Sequence, residues 1–123
     1  MLVSRLCTLL LLLTASLSHA QDCVVLLHGL GRTTWSMRQI ENALSQSGYT
    51  VINQSYLSRE KSINELSAIV GDGIRQCQPH QPAAIHFVTH SLGGILVRAY
   101  FQNHPVNNVK RVVMLGPPNH GSE

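Results

Sequence analysis

The chain has 123 residues, 44% of them hydrophobic, 12% charged and 5% aromatic, a balance that suits one globular domain and excludes a disordered or fibrous chain. Its formal charge of +3 at pH 7 is scattered, and no basic stripe interleaved with aromatics appears, which argues against a nucleic-acid partner. The seven histidines are spread along the chain without a spacing such as H-E-x-x-H, so no metal site is expected.

Met1–Arg5 carries one positive charge, Leu6–Leu17 is apolar with five consecutive leucines, and Ser18-His19-Ala20 places small residues at −3 and −1 of a cut after Ala20. That pattern predicts a secretory signal peptide over residues 1–20. The apolar stretch is short for a membrane span, so no stable membrane anchor is expected after cleavage, and the destination is a periplasm or the cell exterior. Cys7 would leave with the signal peptide, and residues 21–123 keep Cys23 and Cys77. In an oxidising compartment these two form a candidate disulfide; two unrelated thiols are the alternative.

Val24–His28 is a continuous apolar run ending in H-G-L-G, the mark of a buried strand reaching a tight turn. Thr33/Thr34 can cap a helix running to about Ser47, with Trp35, Met37, Ile40 and Leu44 as its apolar stripe and Gly48 as its stop. Tyr49–Gln54 is the next strand. Ile63, Leu66, Ile69, Val70 and Ile74 recur at helical spacing, which predicts a second helix over Lys61–Gln76, with Arg59-Glu60-Lys61 as a solvated start. Within it, Gly71-Asp72-Gly73 interrupts the pattern. Ile85–Thr89 is a third strand, Leu92–Asn103 a third helix stopped by His104-Pro105, and Val109–Leu115 a fourth strand ended by Gly116-Pro117-Pro118. The alternation predicts an α/β fold of about four strands and three helices, the sheet parallel and covered by helices on both faces.

The candidate chemistry sits at the junction I-H-F-V-T-H-S-L-G-G-I-L-V, residues 85–97, where a strand runs through His90-Ser91 into a helix. A sharp turn there lifts the Ser91 Oγ into a cleft and aims the first helical N–H groups at developing negative charge. Gly93 and Gly94 relieve crowding on the helix side, while Thr89 stands where glycine is the commoner choice. The second signal is Gly29 and Gly31 around Leu30, glycines at a strand end that let backbone approach a substrate. The Leu30 and Leu92 N–H groups are the candidate oxyanion hole. The competing reading of Ser91 is a helix N-cap. His28 and His90 are read as structural, and Trp35, Met37 and Tyr56 as packing residues that could also floor an acyl pocket.

V-V-L-L-H-G-L-G-R-T, V-T-H-S-L-G-G-I-L-V-R and V-V-M-L-G-P-P-N-H-G-S-E together resemble the α/β-hydrolase superfamily, and within it bacterial lipase- and esterase-like members. The resemblance covers residues 23–123. It implies Ser91 as the acyl-accepting nucleophile, Leu30 and Leu92 as oxyanion donors, an ester or lipid substrate and no cofactor. It also exposes a departure. The superfamily order is serine, then Asp or Glu, then His, yet only His104, His120 and Glu123 are of suitable type after Ser91. His120 lies inside the G-P-P-N-x-G-S stretch, and Asp72 precedes the serine. The expectation is therefore an incomplete α/β-hydrolase fold, with the acid and base outside this sequence and the oligomeric state open. A non-catalytic binding domain or inactive remnant, and an acyltransferase using the same serine, are the alternatives.

Overall fold

A computed structural model describes residues 21–120; the expected signal peptide with Cys7, and the terminal Gly121, Ser122 and Glu123, lie outside the described residues. Four strands, β1 (Cys23–Leu27), β2 (Thr50–Gln54), β3 (Ile85–His90) and β4 (Val109–Leu115), form one sheet in the order β2-β1-β3-β4. All three pairings are parallel. β1 is central, and every one of its residues is buried, which is why its sequence shows no polar alternation.

Three helices connect the strands: α1 (Arg38–Gln46), α2 (Ile63–Cys77) and α3 (Leu92–Phe101). Right-handed crossovers place α1 on one face of the sheet, because the chain moves outward from β1 to β2. They place α2 on the other face, because the chain then returns past β1 to β3. The two cores record this division. Cys23, Val25, Leu27, Ile85 and Phe87 pack with Leu66, Val70 and Ile74 of α2 and Leu96 and Val97 of α3. Val24 and Leu26 pack on the opposite face with Met37, Ile40 and Leu44.

The expected first helix is corrected at its start. Thr34–Met37 forms a 3-10 turn, Thr33 makes no side-chain cap bond, and the α-helix begins only at Arg38. Trp35 leaves the apolar stripe and stands 73% exposed beneath the Arg38 guanidinium, 5.0 Å from its ring centroid. The turn is held instead by Asn53 Nδ2, which donates to Thr34 O and to the Glu41 carboxylate, each at 2.8 Å.

The second helix starts at Ile63 rather than Lys61, because Ser62 caps it. Ser62 Oγ accepts from Glu65 N–H and the Glu65 carboxylate accepts from Ser62 N–H, a reciprocal capping box. The Ser62 backbone N–H, then its hydroxyl, hold the Glu65 carboxyl below its ordinary value. A depressed carboxyl stabilises the fold at neutral pH, and that contribution is lost as pH falls through the lowered value. The glycines do not interrupt the helix. A Cβ on Gly73 would lie 2.6 Å from Val25 Cγ1, and one on Gly71 2.8 Å from the Tyr100 hydroxyl, so both let α2 approach its neighbours closely. Asp72 points to the surface and pairs with Arg75.

Coverage on both faces holds for β1 but not for β4. β4 has one strand partner, and Val112, Val113 and Leu115 are exposed among the described residues. Cys23 and Cys77 form a disulfide with a Cα–Cα distance of 5.9 Å, tying the start of β1 to the end of α2.

Candidate active site

The direction of the crossovers reverses between β1 and β3, and a sheet that changes direction there leaves a crevice at the C-terminal ends of those strands. Leu27 is in register with Thr89. The H-G-L-G turn that follows Leu27 and the His90-Ser91 junction that follows Thr89 are therefore neighbours. A Cβ placed on Gly29 would lie 2.9 Å from His90 Nδ1 and 3.4 Å from Ser91 Cβ, so glycine is what allows the two loops to close on each other. His90 is exposed and faces this turn.

Ser91 has φ 50° and ψ −115°. A non-glycine residue with positive φ costs of order 1–3 kcal/mol and persists only where its surroundings impose it. The imposition is visible on both sides of the residue. Ser91 N–H donates to Leu115 O at 2.9 Å, and Gly94 N–H donates to Ser91 O at 3.1 Å. The side chain makes no cap bond to α3, so the ordinary reason for a serine before a helix is not met. Among the described residues, the Oγ of this half-buried serine is committed to no partner.

The crowding behind the elbow explains Gly93, Gly94 and Thr89 together. A Cβ on Gly93 would lie 2.7 Å from Leu27 O, 2.9 Å from Leu27 Cβ and 3.2 Å from Thr89 Cβ, and one on Gly94 3.3 Å from Thr89 Oγ1. Thr89 is fully buried and occupies space that the two glycines vacate. Gly93→Ala must push against backbone, not against a flexible side chain. It is expected to cost about 1–3 kcal/mol, read as a lower urea midpoint with an unchanged slope.

The opposing turn is braced throughout. Arg32 N–H closes it on Gly29 O at 3.1 Å, and Gly31 takes φ 64°, the third-position conformation that a type II turn reserves for glycine. A Cβ on Gly31 would also strike the Arg59 guanidinium. His28 is 1% exposed and stacks on Tyr56, with centroids 4.1 Å apart and planes 15° apart. His28 Nδ1 lies 2.9 Å from Gly29 O; a carbonyl only accepts, so Nδ1 carries the hydrogen. The Tyr56 hydroxyl donates to His28 O, and Gly31 N–H donates to Ser58 Oγ at 2.8 Å. Among the described residues, neither Leu30 N–H nor Leu92 N–H donates to another group. Leu92 is the first residue of α3, where intrahelical partners are absent.

Tyr56 is buried in the core beside this turn, and burial pushes its phenol up to about 12. The folded chain therefore keeps that proton at pH values where the unfolded chain has lost it. Stability must fall as pH rises beyond about 10, the ordinary phenol value. Tyr56→Phe is expected to cost about 1–2 kcal/mol at neutral pH, because the His28 carbonyl loses its donor. The variant should also lose the steep alkaline decline. Urea unfolding at pH 7 and at pH 11 reads both effects.

The remaining titratable residues are engaged elsewhere or lie apart. His86 Nε2 sits 2.9 Å from Asp22 Oδ2. His104 stacks on Tyr100 and its Nδ1 lies 3.0 Å from Tyr100 O. That places it past the far end of α3, whose ten residues span about 15 Å from the elbow. His120 is exposed. Among the described residues no group of three or more His, Cys, Asp or Glu could hold a metal ion. Sequence reading missed Tyr56 and Ser58 as the brace of the turn, because their partners lie 28 and 27 residues away. The only local signal was a run of hydroxyl side chains, Ser55, Tyr56 and Ser58, directly after β2.

A parallel sheet whose central crevice pairs a glycine turn with a serine held at positive φ is the arrangement of the α/β-hydrolases. The family model for palmitoyl protein thioesterases matches residues 23–123, and the chain belongs to that family. Its fold is similar to that of a Bacillus licheniformis lipase in its mature form. That match has TM-score 0.69 and 24% identity, over 85% of this chain and 44% of the other. It is also similar to an extracellular α/β-hydrolase from a Paenibacillus species, with TM-score 0.61 and 25% identity, over 77% of this chain and 40% of the other. A phospholipase of Legionella pneumophila matches with TM-score 0.61 and 22% identity, over 82% of this chain and 26% of the other. The chain thus spans less than half the length of each of these structures. No curated protein matches it.

Proposed function

We propose that this chain carries the nucleophile and oxyanion hole of a secreted serine hydrolase acting on lipid acyl esters. The observation that carries the reading is Ser91, held at φ 50° with its Oγ uncommitted, next to the glycine turn that bears Leu30 and directly before Leu92. In the proposed reaction Ser91 Oγ attacks the ester carbonyl carbon while a base takes its proton. Leu30 N–H and Leu92 N–H receive the oxyanion of the tetrahedral intermediate. Collapse expels the alcohol or thiol leaving group, which takes up the proton, and leaves an acyl-serine. Water then releases the acid by the same sequence in reverse.

The residues after Ser91 do not supply an obvious acid and base. No Asp or Glu follows it among the described residues, and His104 is bound to α3 at the end away from the elbow. We propose that both groups lie outside the described residues. Residues 1–20 are proposed as the secretory signal peptide, and the Cys23–Cys77 disulfide supports an oxidising destination. No described helix is long and apolar enough to cross a membrane.

The test is pre-steady-state hydrolysis of matched acyl esters and acyl thioesters of increasing chain length. A burst of leaving group equal to the enzyme concentration is expected, because an acyl-enzyme accumulates when its hydrolysis is the slower step. Release of fatty acid from long chains in preference to acetyl supports the lipid assignment. Added alcohol that diverts the acyl group into a new ester points instead to an acyltransferase. Absence of any turnover with every acyl donor contradicts the enzymatic reading and leaves a binding role.

A further inference from the structure

We propose that the cavity beside the glycine turn is a phosphate subsite, which takes either the phosphate of an acyl-ester substrate or free phosphate. As a substrate headgroup subsite it rests on the reading of Ser91 as nucleophile. The cavity measures about 250 Å³ and is lined by two loops, the turn after β1 and the segment between β2 and α2. That is below the roughly 300–1,000 Å³ of a pocket for a whole small molecule, a size for one group of a larger ligand. Each loop brings one guanidinium to it, Arg32 from the first and Arg59 from the second.

Arg59 is seated by the turn. Its Nη2, Cζ and Nε lie 2.5, 2.7 and 2.7 Å from where a Cβ on Gly31 would stand, so the guanidinium lies against the glycine and a side chain there would displace it. Arg32 follows Gly31 directly. It also lines a second cavity with His90, the residue before Ser91, and with Leu115, whose carbonyl receives the Ser91 N–H. Arg32 thus borders both the subsite and the elbow. Ion pairs among the described residues join Asp72 to Arg75 and Asp22 to His86, so neither cavity arginine is neutralised. Glu60 lines the cavity without pairing to either. Guanidiniums brought to one cavity without a paired counter-charge give it a positive potential. Hydroxyls add donors. Thr33, on the cavity wall, makes no side-chain cap bond. Ser58 is 6% exposed, its Oγ accepts the Gly31 N–H at 2.8 Å, and among the described residues its own proton is given to no acceptor. A carboxylate is satisfied by one bidentate arginine; guanidiniums and hydroxyls drawn from two loops suit the several oxygens of a phosphate.

The test is amide NMR titration of the full chain, carrying Ser91→Ala so that no ester is consumed. The probes are inorganic phosphate, a monomeric short-chain phosphatidic acid, and the uncharged diacylglycerol with the same chains. Phosphate is expected to give saturable shifts at Gly31, Arg32, Ser58 and Arg59, weakened by added sodium chloride. Arg32→Gln and Arg59→Gln should each weaken phosphate binding about 3- to 10-fold. Glu60→Gln should tighten it, and Arg75→Gln, whose arginine pairs elsewhere, should leave it unchanged. Phosphatidic acid that binds more tightly than phosphate and also shifts Gly29 and Leu92, while diacylglycerol leaves the cavity amides unmoved, identifies a substrate headgroup. Phosphate that binds and is not displaced by the lipid identifies free phosphate as the ligand. Shifts that do not saturate, or an affinity unchanged in both arginine variants, overturn the subsite and leave fluorophosphonate labelling of Ser91 in the wild type untouched. Phosphate binding in a chain whose Ser91 does not label keeps the anion site and overturns its role as a headgroup subsite.

Discussion

Replacing Ser91 by alanine is expected to lower acyl-ester hydrolysis about 10⁴-fold or more, since the nucleophile of such a site acts as one unit with its base and little survives its loss. The structure adds a second expectation that separates chemistry from folding. Ser91 Oγ makes no cap bond, so its removal leaves no buried partner unpaired, and the alanine variant should melt close to the wild type. Ser91→Gly goes further. Glycine accepts φ 50° without the strain that a Cβ brings, so this variant should be inactive yet more stable by about 1 kcal/mol. Differential scanning calorimetry beside the activity assay reads both, and a Ser91→Gly variant that melts well below wild type contradicts the strain argument.

The second large effect is expected at the disulfide. Cys23 and Cys77 are 54 residues apart. Closing a loop of that length removes enough entropy from the unfolded chain to stabilise the fold by about 4 kcal/mol at 25 °C. Small domains have only about 5–15 kcal/mol in total, so reduction should move the urea midpoint far to the left. The bridge also sits where it matters for the site. It anchors the end of α2, and through α2 the loop bearing Tyr56 and Ser58, to the strand that ends in the glycine turn. Cys23→Ala with Cys77→Ala should reproduce the loss in the absence of reductant, by equilibrium urea unfolding. Identical midpoints with and without reductant contradict it.

Much of this was legible because local and global signals agree. The uninterrupted apolar run ending at Leu27 and the short run from Ile85 could belong only to buried strands, and the glycines at 29, 31, 93 and 94 marked both turns before any contact was visible. The failures have a common cause. Trp35 fits a helical stripe by spacing, but the 3-10 turn at Thr34–Met37 changes the angle per residue, and the ring swings to solvent. Gly71 and Gly73 look like helix breakers by propensity. In place they are contact points against Tyr100 and Val25, a gain that exists only in the folded chain. The capping box of S-I-N-E was legible at Ser62 and Glu65, and the helical period alone placed the start two residues too early. The brace on the glycine turn after β1 could not be read at all, since Ser58 and Gly31 become neighbours only in the folded chain.

The most direct measurement of the central claim is peptide mapping by mass spectrometry after treatment with a fluorophosphonate at neutral pH. The account predicts one adduct per chain, carried on Ser91, and its absence from the Ser91→Ala variant. An unmodified Ser91, or an adduct on another hydroxyl that persists in Ser91→Ala, would contradict it.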